Sequence, residues 1–303
     1  MLSERQLGVF WVLLGNVLFS TKAIFAKLIF VHGVDPTMVI TLRMTFAFPF
    51  FVLSALFFHR RRKDVLVKKF DWAHLLLFAF LGYYGASFLN FSGLQYITAS
   101  LERVILFTYP AMVLTLLALF YKEKITKIQV IALFLTYGGI VISLVPNIGT
   151  FEKGFLLGAL LVLGSAFIFS VYMVRVGDFI QRYGSLLFTS YIMILATFLV
   201  WGHFLIFGSF ENLYQPTNIY LLFLGMSILS TFLPVFMISE GIRSIGASNV
   251  SLVAAIGPIA TIFLAYTFLD ERLNTWQIVG TLFVLTGIFL VGRKAGKAPV
   301  RVR

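Results

Sequence analysis

Cysteine is absent from the chain, so neither a disulfide nor a thiolate metal site can form. The four histidines, His32, His59, His74 and His203, are scattered, with no HExxH or paired-ligand spacing. No GxSxG occurs either, and these absences leave an intramembrane enzyme without its usual motifs. There is no GxxxxGK[ST], so any work the chain performs draws on gradients or on its substrate rather than on a bound nucleotide triphosphate. Charge is scarce as well. Only 12% of the 303 residues are charged while 60% are hydrophobic, and the mean hydropathy is +0.97. A soluble domain cannot conceal that much apolar surface, which points to a membrane protein.

Apolar stretches of roughly 20 residues cross a bilayer core as helices. Ten are present: 7–30, 36–58, 72–95, 97–120, 125–145, 154–174, 185–208, 218–240, 247–268 and 274–292. The predicted fold is therefore an all-α integral membrane protein of ten transmembrane helices. The first stretch is too long and too interrupted for a cleaved signal peptide, and no small-x-small site follows it. Basic residues set the orientation. With the N-terminus cytoplasmic, 18 of the 24 lysines and arginines fall in inner loops and tails, three outside (Arg103, Lys153, Arg272), and Lys22, Lys27 and Arg43 remain in the membrane. Both termini are thus expected in the cytoplasm. The net charge of +12 belongs to topology and to anionic-lipid contact at "HRRRKDVLVKK", not to nucleic acid.

The chain repeats itself. Residues 93–143, beginning "GLQYITASLERVILFTYPAM", align without gaps to 241–291, beginning "GIRSIGASNVSLVAAIGPIA", at a shift of 148. Gly93/Gly241, Ala99/Ala247, Ser100/Ser248, Pro110/Pro258, Glu123/Glu271, Gln129/Gln277 and Gly139/Gly287 coincide. Five helices per copy is an odd number, so the second copy enters the membrane upside down, the construction common among alternating-access carriers. The expected organisation is one repeat over 1–147, an inverted one over 148–293, and a basic cytoplasmic tail over 294–303.

On these residues, together with "YKEKIT" and "DERLNTWQIVGTLFVLTGI", nearly the whole chain resembles the EamA-like family of the drug/metabolite transporter superfamily. The resemblance implies a ten-helix bundle with a central cavity lined mainly by helices 1, 3, 4, 6, 8 and 9, residing in a bacterial inner membrane. It also implies basic residues at Lys27 and Arg43, whereas Lys22 departs from the small or neutral residue many members carry. The family moves amino acids, other metabolites and drugs, and export is its favoured direction.

The candidate site is read from polar residues inside the spans. Asn16, Ser20, Ala23 and Lys27 form one stripe on the first helix. Lys22 lies about 120° away from it, on the side of Gly15, Leu18, Phe19 and Ala26. Lys27 is either a cavity residue or an anchor at the outer surface. Lys22 lies roughly 12 Å deeper than the outer helix end. A cation there costs about 2.5–3.5 kcal/mol on insertion scales, so it should face water, substrate or a carboxylate. Arg43 reaches a similar depth, as a bridge to the first helix or as a substrate contact. Several cations at one level favour a carboxylate-bearing substrate.

Tyr83, Tyr84, Phe88 and Asn90, with Tyr109, are candidates for cargo walls and hydrogen bonds. Two acids are candidates for proton or ion coupling: Glu102, which otherwise caps a helix, and Glu240, expected to pair with Arg243. Pro110 and Pro258 fall mid-span as hinge candidates. "GFLLG" at 154–158 is a helix-packing signal that fits a monomer or a dimer equally. The expected function is a gradient-driven secondary transporter of small organic metabolites, needing no cofactor and no metal. The alternatives are a multidrug exporter or a lipid-handling or channel protein. Small drug pumps of the superfamily depend on a membrane-embedded Glu in helix 1, where this chain has lysines.

Overall fold

The computed structural model describes residues 3–61, 69–122, 125–145, 153–246, 249–250, 253–254 and 256–295. The basic run from Arg62 to Lys68, Glu123, Ala247, Ser248 and the tail from Gly296 lie outside the described residues. All regular structure among the described residues is helical. In chain order the α-helices are α1 Glu4–Phe30, α2 Pro36–Arg61, α3 Lys69–Ala79, α4 Ala86–Leu94, α5 Ala99–Leu106, α6 Tyr109–Tyr121 and α7 Lys127–Leu144. There follow α8 Phe155–Tyr183, α9 Ser185–Phe207, α10 Thr217–Ser227, α11 Leu233–Ile245, α12 Ile256–Leu269 and α13 Thr275–Ala295.

Among the described residues, eight helical stretches are long and apolar enough to cross a membrane, and α12 and α13 contribute two shorter apolar helices. Three spans are not continuous α-helices. A π-turn at Phe80–Gly85 joins α3 to α4, and another at Ile228–Phe232 joins α10 to α11. Between α5 and α6 the backbone opens at Phe107 and Thr108, where Phe107 takes φ −70° and ψ 8°. The mid-span position expected for Pro110 is therefore the first turn of a new helix, where its missing N–H costs nothing. Pro258 likewise stands in the first turn of α12. Helix α8 outruns its expected end at residue 174 and carries Arg175 and Arg182 within it, stopping only at Gly184 with φ +80°.

Local devices recur at the same spacing as the sequence repeat. The two π-turns begin at Phe80 and Ile228, 148 residues apart. Among the described residues, the two non-glycine residues with positive φ are Lys122 and Asp270, both at 54° and again 148 apart. Each precedes a capped helix. Gln129 Oε1 accepts from the Thr126 N–H at 2.8 Å, and Gln277 Oε1 accepts from the Asn274 N–H at 3.1 Å. Both satisfy a helix N-terminus through the reciprocal side-chain arrangement of a capping box.

Packing relies on close backbone approach. Gly93 and Gly158 face each other so tightly that a Cβ on Gly93 would stand 2.6 Å from the Gly158 carbonyl oxygen. The "GFLLG" signal therefore packs within the chain, on α4. Helices α7 and α13 pair almost wholly with each other, along Gly139, Gly280 and Gly287. Their outward faces leave Phe134, Val141, Leu282 and Phe289 exposed, as lipid contact requires.

Candidate functional site

A cavity of about 120 Å³ lies inside the bundle. It touches α1 at Asn16, Phe19 and Lys22, spaced by three residues and hence on one flank of the helix. From there it runs past Val235, Ser239 and Ile242 of α11 toward Val250 and Ala254, the end of the bundle that holds the start of α1. Both π-turns open onto it, through Gly82 and Tyr83 in one and Ser230 and Thr231 in the other. Such turns interrupt the regular ladder and are frequent at functional sites. One wall is aromatic. Tyr83 meets Tyr172 edge-on with ring centres 5.8 Å apart, and Tyr109 meets Phe169 at 5.3 Å. Tyr172 lies against Gly82, where a Cβ would stand 2.9 Å from the ring.

Another part of the lining is charged and buried. Lys22, Arg43 and Arg103 all line the cavity, and each is at most 4% exposed. Lys22 Nζ donates to Asn90 Oδ1 at 2.6 Å and to Glu102 Oε1 at 3.3 Å. Asn90 Nδ2 donates to the same Glu102 oxygen at 2.5 Å, closing a three-residue network. Glu102 is fully buried behind this network, and its Oε2 has no hydrogen-bond partner among the described residues. Arg43 Nη2 donates to Ser87 at 3.2 Å, and Arg103 Nη2 reaches Ser20 at 3.5 Å. The Nε of each arginine is buried and has no hydrogen-bond partner among the described residues.

Aromatic rings separate the cations. Lys22 and Arg43 both lie over Phe91, at 5.4 Å and 4.9 Å. Lys22 and Arg103 both lie over Phe19 at 5.2 Å, and Arg103 also covers Phe107 at 4.8 Å. Each ring presents its negative face to a cation, offsetting part of the desolvation cost. The second half of the chain contributes to this wall too. Ser20 Oγ donates to the Gly257 carbonyl at 3.1 Å, and Gly257 leaves room for the Arg103 guanidinium.

Of the residues expected at the site, Asn16, Lys22, Arg43, Tyr83, Asn90 and Tyr109 line this cavity. Ser20 and Glu102 stand directly behind it. Lys27 is half-buried and outside the lining. Tyr84 and Phe88 face away, into a separate small recess with Thr37, Thr41 and His203, where Tyr84 Oη and His203 Nδ1 are 2.6 Å apart. Glu240 is also elsewhere. It pairs with Arg243 as expected, and accepts from Ser185 Oγ at 2.5 Å, joining α9 to α11. Glu271, in the connection between α12 and α13, caps α5 across the repeats. Its carboxylate accepts from the Ala99 and Ser100 N–H groups at 2.8 and 3.0 Å and from the Ser100 hydroxyl at 2.9 Å.

Arg103, counted as outside in the charge asymmetry, is instead buried in the cavity lining. One available signal was the asymmetry between the repeats. At the shift of 148, Asn90, Glu102 and Arg103 correspond to Ile238, Val250 and Ser251, so the polar cluster belongs to the first copy alone.

A bundle of membrane-length helices enclosing a cavity lined by buried cations is the build of a multi-pass membrane transporter. The chain belongs to the EamA-like transporter family, whose model matches residues 6–145 and again 156–293. It is 28% identical to the uncharacterized transporter YcbK of Bacillus subtilis (strain 168), over 97% of this chain and 96% of that protein. An uncharacterized transporter of Archaeoglobus fulgidus is 25% identical over 94% of this chain and 99% of its own length. A solved structure titled only as the crystal structure of a protein matches with a TM-score of 0.69, covering 95% of this chain and 98% of that one. At 16% identity that likeness speaks for the fold alone.

Proposed function

We propose that the chain is a gradient-driven secondary transporter, working as an exporter, of small carboxylate-bearing organic metabolites. The observation that carries the substrate class is the buried cluster of Lys22, Arg43 and Arg103 in the cavity lining, with Glu102 the carboxylate set against it. A buried charge without a counter-ion is costly, so the site gains from a guest that brings negative charge. The aromatic wall of Tyr83, Tyr109, Phe169 and Tyr172 suits the apolar body of such a guest. The same cations oppose cationic drugs.

Alternating access follows from the repeats. The second copy is taken as inverted relative to the first, and the two rock against each other around the cavity. Residues from both halves, among them Arg103 and Gly257, meet at its wall, which is where such a motion would expose cargo to either side. Export and inner-membrane residence rest on family analogy.

Counterflow uptake into proteoliposomes, with a panel of amino acids and organic acids, tests the reading. Wild type should exchange at least one carboxylate-bearing solute, and Lys22→Met should lose most of that exchange. Equal transport of every accepted anion by the variant would remove Lys22 from the site.

A further inference from the structure

Charge inside the site is unevenly compensated. Lys22 and Glu102 form a pair, with side chains 5% and 0% exposed, and neutralise each other. Arg43 and Arg103 have no carboxylate within ion-pair distance among the described residues. Both guanidiniums stay charged at any physiological pH. Each is buried, each lines the cavity, and each keeps an Nε–H with no hydrogen-bond partner among the described residues. Lys22 stands between them and shares the Phe91 ring with one and the Phe19 ring with the other.

We infer that the cargo is an organic dianion without an ammonium group, its two negative charges taken up by Arg43 and Arg103. This deepens the transporter reading above and rests on it for the movement of cargo, but not for the binding. A monoanion leaves one guanidinium without a counter-ion in a low-dielectric chamber. A zwitterionic amino acid leaves net positive charge and adds an ammonium, and none of the described residues lining the cavity is Asp or Glu. Glu102 does not serve that ammonium, because it sits behind Lys22 and Asn90 and is bonded to both. Two negative charges on one small organic frame match the charge count. A dicarboxylate and a phosphate monoester share this chemistry. They differ in whether the two charges sit on separate groups or on one.

The test uses four probes on the purified full chain in detergent at neutral pH: succinate, butyrate, 4-aminobutyrate and glycerol 3-phosphate. A ligand that prefers the folded form raises its melting temperature. Succinate or glycerol 3-phosphate should stabilise the protein at concentrations about tenfold or more below butyrate, the equivalent of one missing charge contact, and 4-aminobutyrate should be inert. Which of the two dianions acts distinguishes separate from shared anionic groups. Arg43→Gln and Arg103→Gln should each abolish the preference for dianion over monoanion, whereas Arg43→Lys and Arg103→Lys should retain it. The lysine variants also report on folding, being compared with wild type by size exclusion.

Equal stabilisation by butyrate, a preference for 4-aminobutyrate, or no response to either dianion in folded protein overturns the inference. Counterflow in proteoliposomes separates it from the transporter reading. Movement of monoanions or zwitterions with no preference for dianions defeats the inference and leaves transport standing. Tight dianion binding with no movement does the reverse.

Discussion

Lys22 and Glu102, 80 residues apart in sequence, meet as a buried ion pair at 3.3 Å. Asn90 bonds to both, so the three side chains form one closed unit joining α1, α4 and α5. Removing one partner of a buried pair strands the other charge, which typically costs about 3–5 kcal/mol. Glu102→Gln and Lys22→Met should therefore each lower the melting temperature in detergent markedly. The double variant should fall by clearly less than the sum of the two, because neither charge is then stranded. Additive losses in a thermal-melt cycle would show that the two side chains do not interact.

Glu271 holds the start of α5 from the other half of the chain. Loss of a helix N-cap interaction costs about 0.5–2 kcal/mol. Glu271→Ala should reduce thermal stability by an amount in that range and expose the 95–100 segment to limited proteolysis. Glu271→Gln, which keeps an acceptor but not the charge, should fall between. An unchanged cleavage pattern in the alanine variant would argue that α5 is held by packing alone.

The α7–α13 pair offers a sharp contrast between neighbouring glycines. A Cβ on Gly139 would stand 2.6 Å from the Gly280 carbonyl oxygen, whereas one on Gly138 meets nothing within 4 Å. Gly139→Ala should force the helices apart and destabilise the protein, with overpacking of this kind costing about 1–3 kcal/mol. Gly138→Ala should be neutral or slightly stabilising, since Ala is the better helix former. Equal melting temperatures for the two variants would contradict the packing described.

Two aromatic groups that looked alike in sequence should separate in function. Tyr109 lines the central cavity, while Tyr84 opens onto the recess with His203. Tyr109→Leu should weaken cargo binding by about tenfold, the loss of a well-packed aromatic contact worth roughly 1.4 kcal/mol. Tyr84→Phe should leave cargo affinity within twofold of wild type and alter only the local bond to His203. Thermal-shift titration with whichever probe binds wild type provides the comparison, and a larger effect at Tyr84 than at Tyr109 would reverse the assignment of the site.

Much of the architecture was written in composition and periodicity. Apolar stretches of membrane length, the register of Pro110 with Pro258 and of Gly139 with Gly287, and the depth of Lys22 all follow from one-dimensional spacing. Each is a local property, because a helix needs only its own backbone bonds and an apolar exterior to cross lipid. Which side of a helix faces inward is a different matter. Tyr84 and Asn90 lie six residues apart, about 120° round a regular helix, and only Asn90 reaches the cavity, a choice that packing rather than spacing makes.

The sequence alone determined that this chain is an apolar, internally repeated protein with cations set inside its hydrophobic stretches. Only the tertiary structure decided that Arg103 joins those cations and that Glu102 neutralises Lys22 rather than capping a helix. It alone showed Glu271 reaching across the repeats. The reason is physical: an ion pair between α1 and α5 is set by how helices far apart in the chain pack against one another, and no local pattern in either segment encodes its partner.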